Sequence, residues 1–262
     1  MSKICPLFSG STGNSTYIGT KDGGMLIDVG ASAKGINEGL QRIGSDLSEI
    51  KVVAITHCHD DHIKGIKAVL NRTKAKLVAT EETANLLLAK GCVSAQTQIE
   101  LIDNNSITFG DSQIKSFNTS HDSEGSCGYS VILPDNKRFT LCTDTGIITE
   151  EIRDAITGSD IILLESNHDI DMLKRGPYPP FLKVRIMSDK GHISNSVCAS
   201  EVLRLFEKGT ERFILGHLSL NNNTPLLARS TSESVLMDIG AKNGKDYILN
   251  VAASKENGVM VI

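Results

Sequence analysis

The sequence predicts an α/β fold in which two sheets pack face to face with helices on the outside. Three observations carry that prediction. Short apolar segments rich in β-branched residues alternate with helical patterns along the chain. Hairpin-like strands open the first half, and a similar run follows residue 127. A cluster of metal-ligating residue types stands at the end of one apolar strand. A chain of 262 residues, 40% hydrophobic and 22% charged, can bury a substantial core. No linker, low-complexity tract or repeat interrupts it, so a single domain over 1–262 is expected.

Runs of β-branched and apolar residues predict strands at 3–8, 15–19, 24–28, 51–56, 76–79, 112–118, 127–133, 138–143, 160–165, 212–216, 246–250 and 258–262. Helices are predicted at 33–43, 62–72, 81–90, 147–156, 195–208 and 226–240, and the last two show the i, i+3, i+4 spacing of a one-faced helix. Val197, Leu203 and Phe206, then Leu227, Val235 and Ile239, should face the core. Residues 174–190 contain Gly176, Pro177, Pro179 and Pro180, which predict an ordered loop over much of the segment rather than a helix.

Composition narrows the class. The apolar stretches are too short to span a bilayer, and Met1 leads into no apolar secretory segment. The six cysteines (5, 58, 92, 127, 142, 198) form no Cys-x-x-Cys pair and suit buried thiols of a reducing, cytoplasmic setting. A net charge of −4 creates no whole-molecule field for nucleic acid. One segment departs from that average, with Lys174, Arg175, Lys183, Arg185 and Lys190 against Asp189. It reads either as a solvated loop or as a rim that faces phosphate.

The most informative stretch is His57-Cys58-His59-Asp60-Asp61-His62, directly after the run Lys-Val-Val-Ala-Ile-Thr. Imidazole and carboxylate together suit Zn, Mn or Fe and argue against calcium, which prefers oxygen alone. In an extended stretch His57 and His59 point to one side, and Asp61 and His62 follow where the chain turns into a helix. His121, Asp144 and His217 each stand at the end of another predicted strand and can complete two metal shells, a carboxylate such as Asp144 bridging two cations.

The order Thr-His-x-His-x-Asp-His, followed by His, Asp and His at strand ends, resembles the metallo-β-lactamase superfamily and, within it, the YycJ/WalJ (VicX) branch. The segments at 9–15, 26–30, 165–169, 176–179, 191–195 and 217–225 fit that branch, and the similarity covers nearly the whole chain. The resemblance implies a four-layer αββα sandwich with the metals at one edge of the sheets. It implies that His57, His59 and His121 hold one ion and Asp61, His62 and His217 the other, with Asp144 between them. Asp144 and His217 stand too close in sequence for the inserted domain of the β-CASP nucleases. An aspartate at 144, where many true β-lactamases carry cysteine, weighs against an antibiotic substrate.

Two cations sharing a hydroxide would attack phosphorus in line, with Asp61 steering the hydroxide. The leaving 3′-oxygen needs a proton donor, and His192, before a helix start at Ser194-Asn195, is favoured over His168. Asp28 and Glu165 are candidates either to hold a ligand imidazole by its other nitrogen or to cap a turn, and His168 is otherwise a surface histidine or one that supports the ligands from behind. Arg175, Lys183, Arg185 and Asn195 are the candidate substrate contacts. Cys58 reads as small buried filler, and Ser9 to Asn14 as a tight turn lining the pocket rather than a phosphate cradle. The expected activity is a metal-dependent phosphodiesterase acting on nucleic acid, a 5′-to-3′ DNA exonuclease by resemblance. A small-molecule phosphodiester or thioester hydrolase, and a metal-binding regulatory protein, are the alternatives.

Overall fold

Parallel strands that end in loops, and the residues at those ends, set the plan of this protein. Its computed structural model describes residues 2–103 and 105–261. In chain order the elements begin with β1 (Lys3–Phe8), β2 (Ser15–Thr20), β3 (Gly23–Ile27), α1 (Ala33–Arg42), β4 (Ile50–Ala54), α2 (Asp60–Ile63), α3 (Ile66–Thr73), β5 (Lys76–Ala79) and α4 (Glu81–Ala89). There follow β6 (Ile99–Leu101), β7 (Ser106–Phe109), β8 (Ser112–Asn118), β9 (Cys127–Ile132), β10 (Arg138–Cys142), α5 (Glu150–Ile156) and β11 (Ile161–Glu165). The remainder is α6 (Ile170–Arg175), α7 (Pro180–Ile186), α8 (Asn195–Glu207), β12 (Arg212–Gly216), α9 (Pro225–Asp238), β13 (Ile248–Val251) and β14 (Met260–Val261).

The strands form two mixed sheets flanked by helices. The chain divides into two compact units. Unit 1 is Met1–Ser116, Ser123–Lys137 and Ala253–Ile262, and unit 2 is Phe117–Asp122 and Arg138–Ala252.

Unit 1 contains a sheet in the order β14-β1-β2-β3-β4-β5-β6. It runs antiparallel from β14 to β3 and parallel from β3 to β6. The pairing of Ile27 with Ala54 brings the carboxyl ends of β3 and β4 side by side, so Asp28 meets the residues that follow β4. The hairpin β7–β8 also belongs to this unit through Ser116. Its core is built from Leu26, Val53, Ile55, Ile36, Leu40 and Val69, all fully buried. Burying a side chain of that kind contributes roughly 1.5–3 kcal/mol.

In unit 2, β10, β11, β12 and β13 are all parallel. Cys142 pairs with Leu164, and Glu165 with Gly216, which lines up the strand ends that carry Asp144, Glu165 and His217. Open parallel sheets place their ligands at the carboxyl ends of strands. Ile162, Leu164, Phe213, Leu215, Val202 and Leu205 fill the core beneath them. Hydroxyl caps start the helices: Ser32 on α1, Thr80 on α4, Thr149 on α5, Ser194 on α8 and Thr224 on α9. Each such cap is worth about 1 kcal/mol.

Several expectations need correction. The segment 174–190 is not mainly a loop, because it holds the end of α6 and all of α7. Pro179 and Pro180 stand at the start of α7, where a fixed φ and a missing N–H cost nothing. The helix expected over 62–72 is two helices, broken where Gly65 donates its N–H to the Val29 carbonyl instead of continuing α2. Val197 is exposed, and α8 buries Cys198, Ala199, Val202 and Leu205. On α9 the inner face is Ala228, Ser232 and Leu236, while Leu227 and Ile239 are exposed. Small residues at i and i+4 allow close packing, and the apolar residues on the other face obscured that register. The short strands β6 and β7 escaped the sequence reading. The last residue of the strand expected at 258–262 lies outside the described residues.

Candidate metal centre

Each unit gathers imidazoles and carboxylates at its strand ends. In unit 1 the hexapeptide leaves β4 and enters α2, with His57, His62 and Cys58 buried. The helix is pinned from beneath by backbone: Asn14 N–H donates to Asp61 O at 2.8 Å, Val29 N–H to His62 O at 2.8 Å, and Gly30 N–H to Asn14 O at 2.8 Å. Gly30 is required, since a Cβ there would stand 1.6 Å from the Asp61 carbonyl oxygen.

Asp28 accepts from His62 Nδ1 at 2.8 Å, from Thr56 N at 2.8 Å and from Thr56 Oγ1 at 2.9 Å. An ionised carboxylate only accepts, so Nδ1 of His62 carries the proton and Nε2 keeps a lone pair. Thr56 Oγ1 spends its hydrogen on Asp28 and lies 3.0 Å from His57 Nδ1, which fixes the His57 proton at Nδ1 by the same logic. His57 Nε2 then faces His59 Nδ1 at 3.1 Å. Imidazole nitrogens that share a tetrahedral cation at 2.0–2.1 Å lie about 3.3 Å apart. The donor set therefore fits a divalent ion.

Asn14 is a participant that the sequence reading passed over as part of a turn. Its Oδ1 accepts from Gly10 N at 2.9 Å, which turns Nδ2 toward Asp61 Oδ2 at 3.2 Å and His62 Nε2 at 3.0 Å. Its signals were the polar turn Ser9 to Asn14 and the fit of segment 9–15 to the branch. The Cys58 thiol points elsewhere, donating to Thr83 O, and burial pushes it up to about 11. It is filler rather than a thiolate ligand.

In unit 2 Asp144, Glu165, His192 and His217 offer ligand atoms all within 4.8 Å of one another. Glu165, fully buried, accepts at the same Oε1 from His192 Nδ1 and His217 Nδ1, each at 2.8 Å. Its Oε2 accepts from Thr145 N at 3.1 Å and Ile193 N at 3.3 Å. Burial alone would raise this carboxyl, but the His192 charge and the imidazole hydrogen bonds outweigh it and hold Glu165 well below the usual carboxylate range. Both rings therefore carry Nδ1–H and present Nε2 outward. Asp144 Oδ1 lies 3.5 Å from His217 Nε2 and 3.8 Å from His121 Nε2. Burial lowers the pKa of His121, which favours the neutral ring that metal binding would need, and its Nδ1 faces the Gly191 carbonyl at 3.2 Å.

Asp28, Asp144 and His217 share one further trait: each has a left-handed φ, at 61°, 58° and 54°. Such strain costs roughly 1–2 kcal/mol per residue, and it persists where the surroundings fix a side chain for a task.

The other site candidates fall differently. His168 is buried, burial lowers its pKa to about 4, and no hydrogen bond among the described residues reaches its Nδ1. Its carbonyl accepts from Asn195 N. Asn195, expected to touch substrate, is buried, and its amide is spent on Ser166 and Asn223, so it braces loops instead. Arg185 Nε donates to Asp122 Oδ2 at 2.5 Å, and Lys183 Nζ donates to the Lys174 carbonyl at 2.8 Å. Arg175 is exposed at the end of α6.

A model of the beta-lactamase superfamily domain matches residues 25–218. Exodeoxyribonuclease YycJ of Bacillus anthracis is 33% identical over 242 residues, covering 92% of this chain and 91% of its own. Exodeoxyribonuclease WalJ of Streptococcus pneumoniae serotype 2 is 35% identical over 250 residues, covering 94% of this chain and 92% of its own. The metallo-beta-lactamase fold protein YhfI from Bacillus subtilis superposes with a TM-score of 0.72 at 14% identity, over the whole of both chains. The sheets and flanking helices are those of the metallo-β-lactamase α/β sandwich, and this chain belongs to the β-lactamase superfamily as a hydrolase of that fold.

Proposed function

We propose that this hydrolase is a phosphodiesterase of nucleic acid, a 5′-to-3′ DNA exonuclease working with two divalent ions (Zn, Mn or Fe). The ligands would be His57, His59, Asp61, His62, His121, Asp144 and His217. The observation that carries the reading is the pair of imidazoles locked by Glu165: His217 offers Nε2 as a ligand, while His192 offers Nε2 for proton transfer. Relatives named exodeoxyribonuclease, at 33% and 35% identity over nearly the whole chain, support the substrate class.

Divalent ions at these ligands would polarise the phosphodiester and activate water near neutral pH. The chain's own groups do the rest. Asn14 Nδ2 holds the Asp61 carboxylate, which orients the attacking water. Glu165 keeps a proton on Nδ1 of His192, so that a protonated ring donates from Nε2 to the leaving 3′-oxygen. Arg175, Lys183 and Arg185 meet the strand's phosphates, and binding falls steeply with salt. All six cysteines are free, which supports a reducing cytoplasmic setting. No helix among the described residues is long and apolar enough to cross a membrane.

The test uses Mn-loaded protein with 5′- and 3′-labelled single- and double-stranded DNA. Mononucleotides released progressively from the 5′ end are expected. Turnover of small esters with no cleavage of any strand would overturn the proposal.

A further inference from the structure

Unit 2 carries an apolar stripe that neither its core nor its ligand cluster uses. Phe181 and Val184 on α7, and Met187 just after it, are 75%, 66% and 44% exposed. Their spacing of three puts them on one helical face, opposite the buried Ile186. Around them stand Lys174, Arg175 and Lys190, all exposed, with Lys183 and Arg185 on the helix itself.

The helix is also fastened to the catalytic loops. His192 N–H donates to the Ile186 carbonyl at 2.9 Å. Arg185 reaches Asp122, next to His121, and Ser120 Oγ donates to the Asp189 carbonyl at 2.6 Å. A ligand lying on α7 therefore lies against the loops that position His121 and His192.

We propose that α7 is a stacking platform for the unpaired bases of a single-stranded nucleic-acid end, with Phe181 as the base contact and Arg175 and Lys190 meeting phosphates. This rests on the nucleic-acid reading above and adds strandedness to it. Charge selects the occupant. Segment 174–190 sets five cations against Asp189, and with Asp122 paired to Arg185 counted the surface still carries an excess of positive charge in a chain of net charge −4, so the local field attracts a polyanion. An exposed aromatic beside cations is used by a polyanion that also has flat apolar faces, and unpaired bases present those faces. In a duplex the same faces are already stacked.

Fluorescence anisotropy with Mn-loaded protein and a cleavage-resistant phosphorothioate strand tests this apart from turnover. Phe181→Ala is expected to weaken single-strand binding about 5- to 100-fold. Phe181→Tyr should hold it near wild type, and Leu226→Ala, a 73% exposed residue off the stripe, should leave it unchanged. Arg175→Ala should lower the slope of log affinity on log salt by about 0.7, while Phe181→Ala leaves that slope alone. Wild-type affinity in Phe181→Ala overturns the inference. So does sedimentation showing a dimer that this variant dissolves, or flotation with anionic vesicles that it abolishes. If the wild type binds strands through Phe181 yet cleaves none, the exonuclease reading fails and the platform stands.

Discussion

Both clusters tie an imidazole through Nδ1 to a buried carboxylate, but in different ratios. Asp28 serves His62 alone and spends its other capacity on Thr56. Glu165 serves two imidazoles through one oxygen while two backbone N–H groups hold the other. The unit 1 anchor thus orients a single imidazole, the proposed ligand His62. The unit 2 anchor couples a proposed ligand, His217, to a proposed proton donor, His192, and its loss misaligns both.

That contrast predicts a ranked series. Glu165→Gln should do the most damage, because a carboxamide cannot accept from all four donors and its NH2 must oppose two of them. Losing such an anchor costs 10–100-fold per imidazole, so kcat/KM on DNA should fall about 100- to 10,000-fold. Asp28→Asn affects one imidazole, and calorimetric titration should show divalent-ion affinity lower by about 10–100-fold. Equal losses from the two variants would break the comparison. Asn14→Ala removes the charge-assisted hydrogen bond to the Asp61 carboxylate, and a kcat loss of about 10-fold is expected.

The smallest effect concerns stability against pH in metal-free protein. Burial lowers the pKa of His121, and lowers His168 from 6.5 to about 4. The unfolded chain then binds protons that the folded chain refuses. Stability is complete above about pH 6.5 and falls as the pH drops, for His168 by roughly 1 kcal/mol per pH unit down to about 4. Glu165, also depressed, extends the loss below its unfolded value of 4.5. Urea unfolding at pH 7 and pH 5 measures the slope, and His168→Gln should flatten it. Equal stability at the two values would contradict the assignment.

How far the sequence could be read follows the same division. The unit 1 cluster lies within six consecutive residues after a strand, so it was legible from spacing alone. Asp144 and His217 were legible as strand-end residues, and Asp28 as a possible imidazole anchor. The double duty of Glu165 was not, because it depends on His192 and His217 arriving from distant segments. Asn14 was missed because its amide direction is set by a backbone N–H, that of Gly10. Asn195 was misread for the converse reason: its position before α8 suggested a phosphate contact, but Ser166 and Asn223 bury it. The prolines before α7 signalled a loop because their role as a helix start shows only in backbone angles. The exposed Phe181 stripe was hidden by the same misreading.

The proposed binding of two divalent ions by histidine and aspartate donors is tested most directly by metal content. Protein dialysed against Mn²⁺ or Zn²⁺ and then against buffer would be analysed by mass spectrometry, beside His62→Ala and His217→Ala. The account predicts two ions per chain in the wild type and a loss of bound metal in each variant. A wild type that retains none, or variants that each keep the full complement, would contradict it.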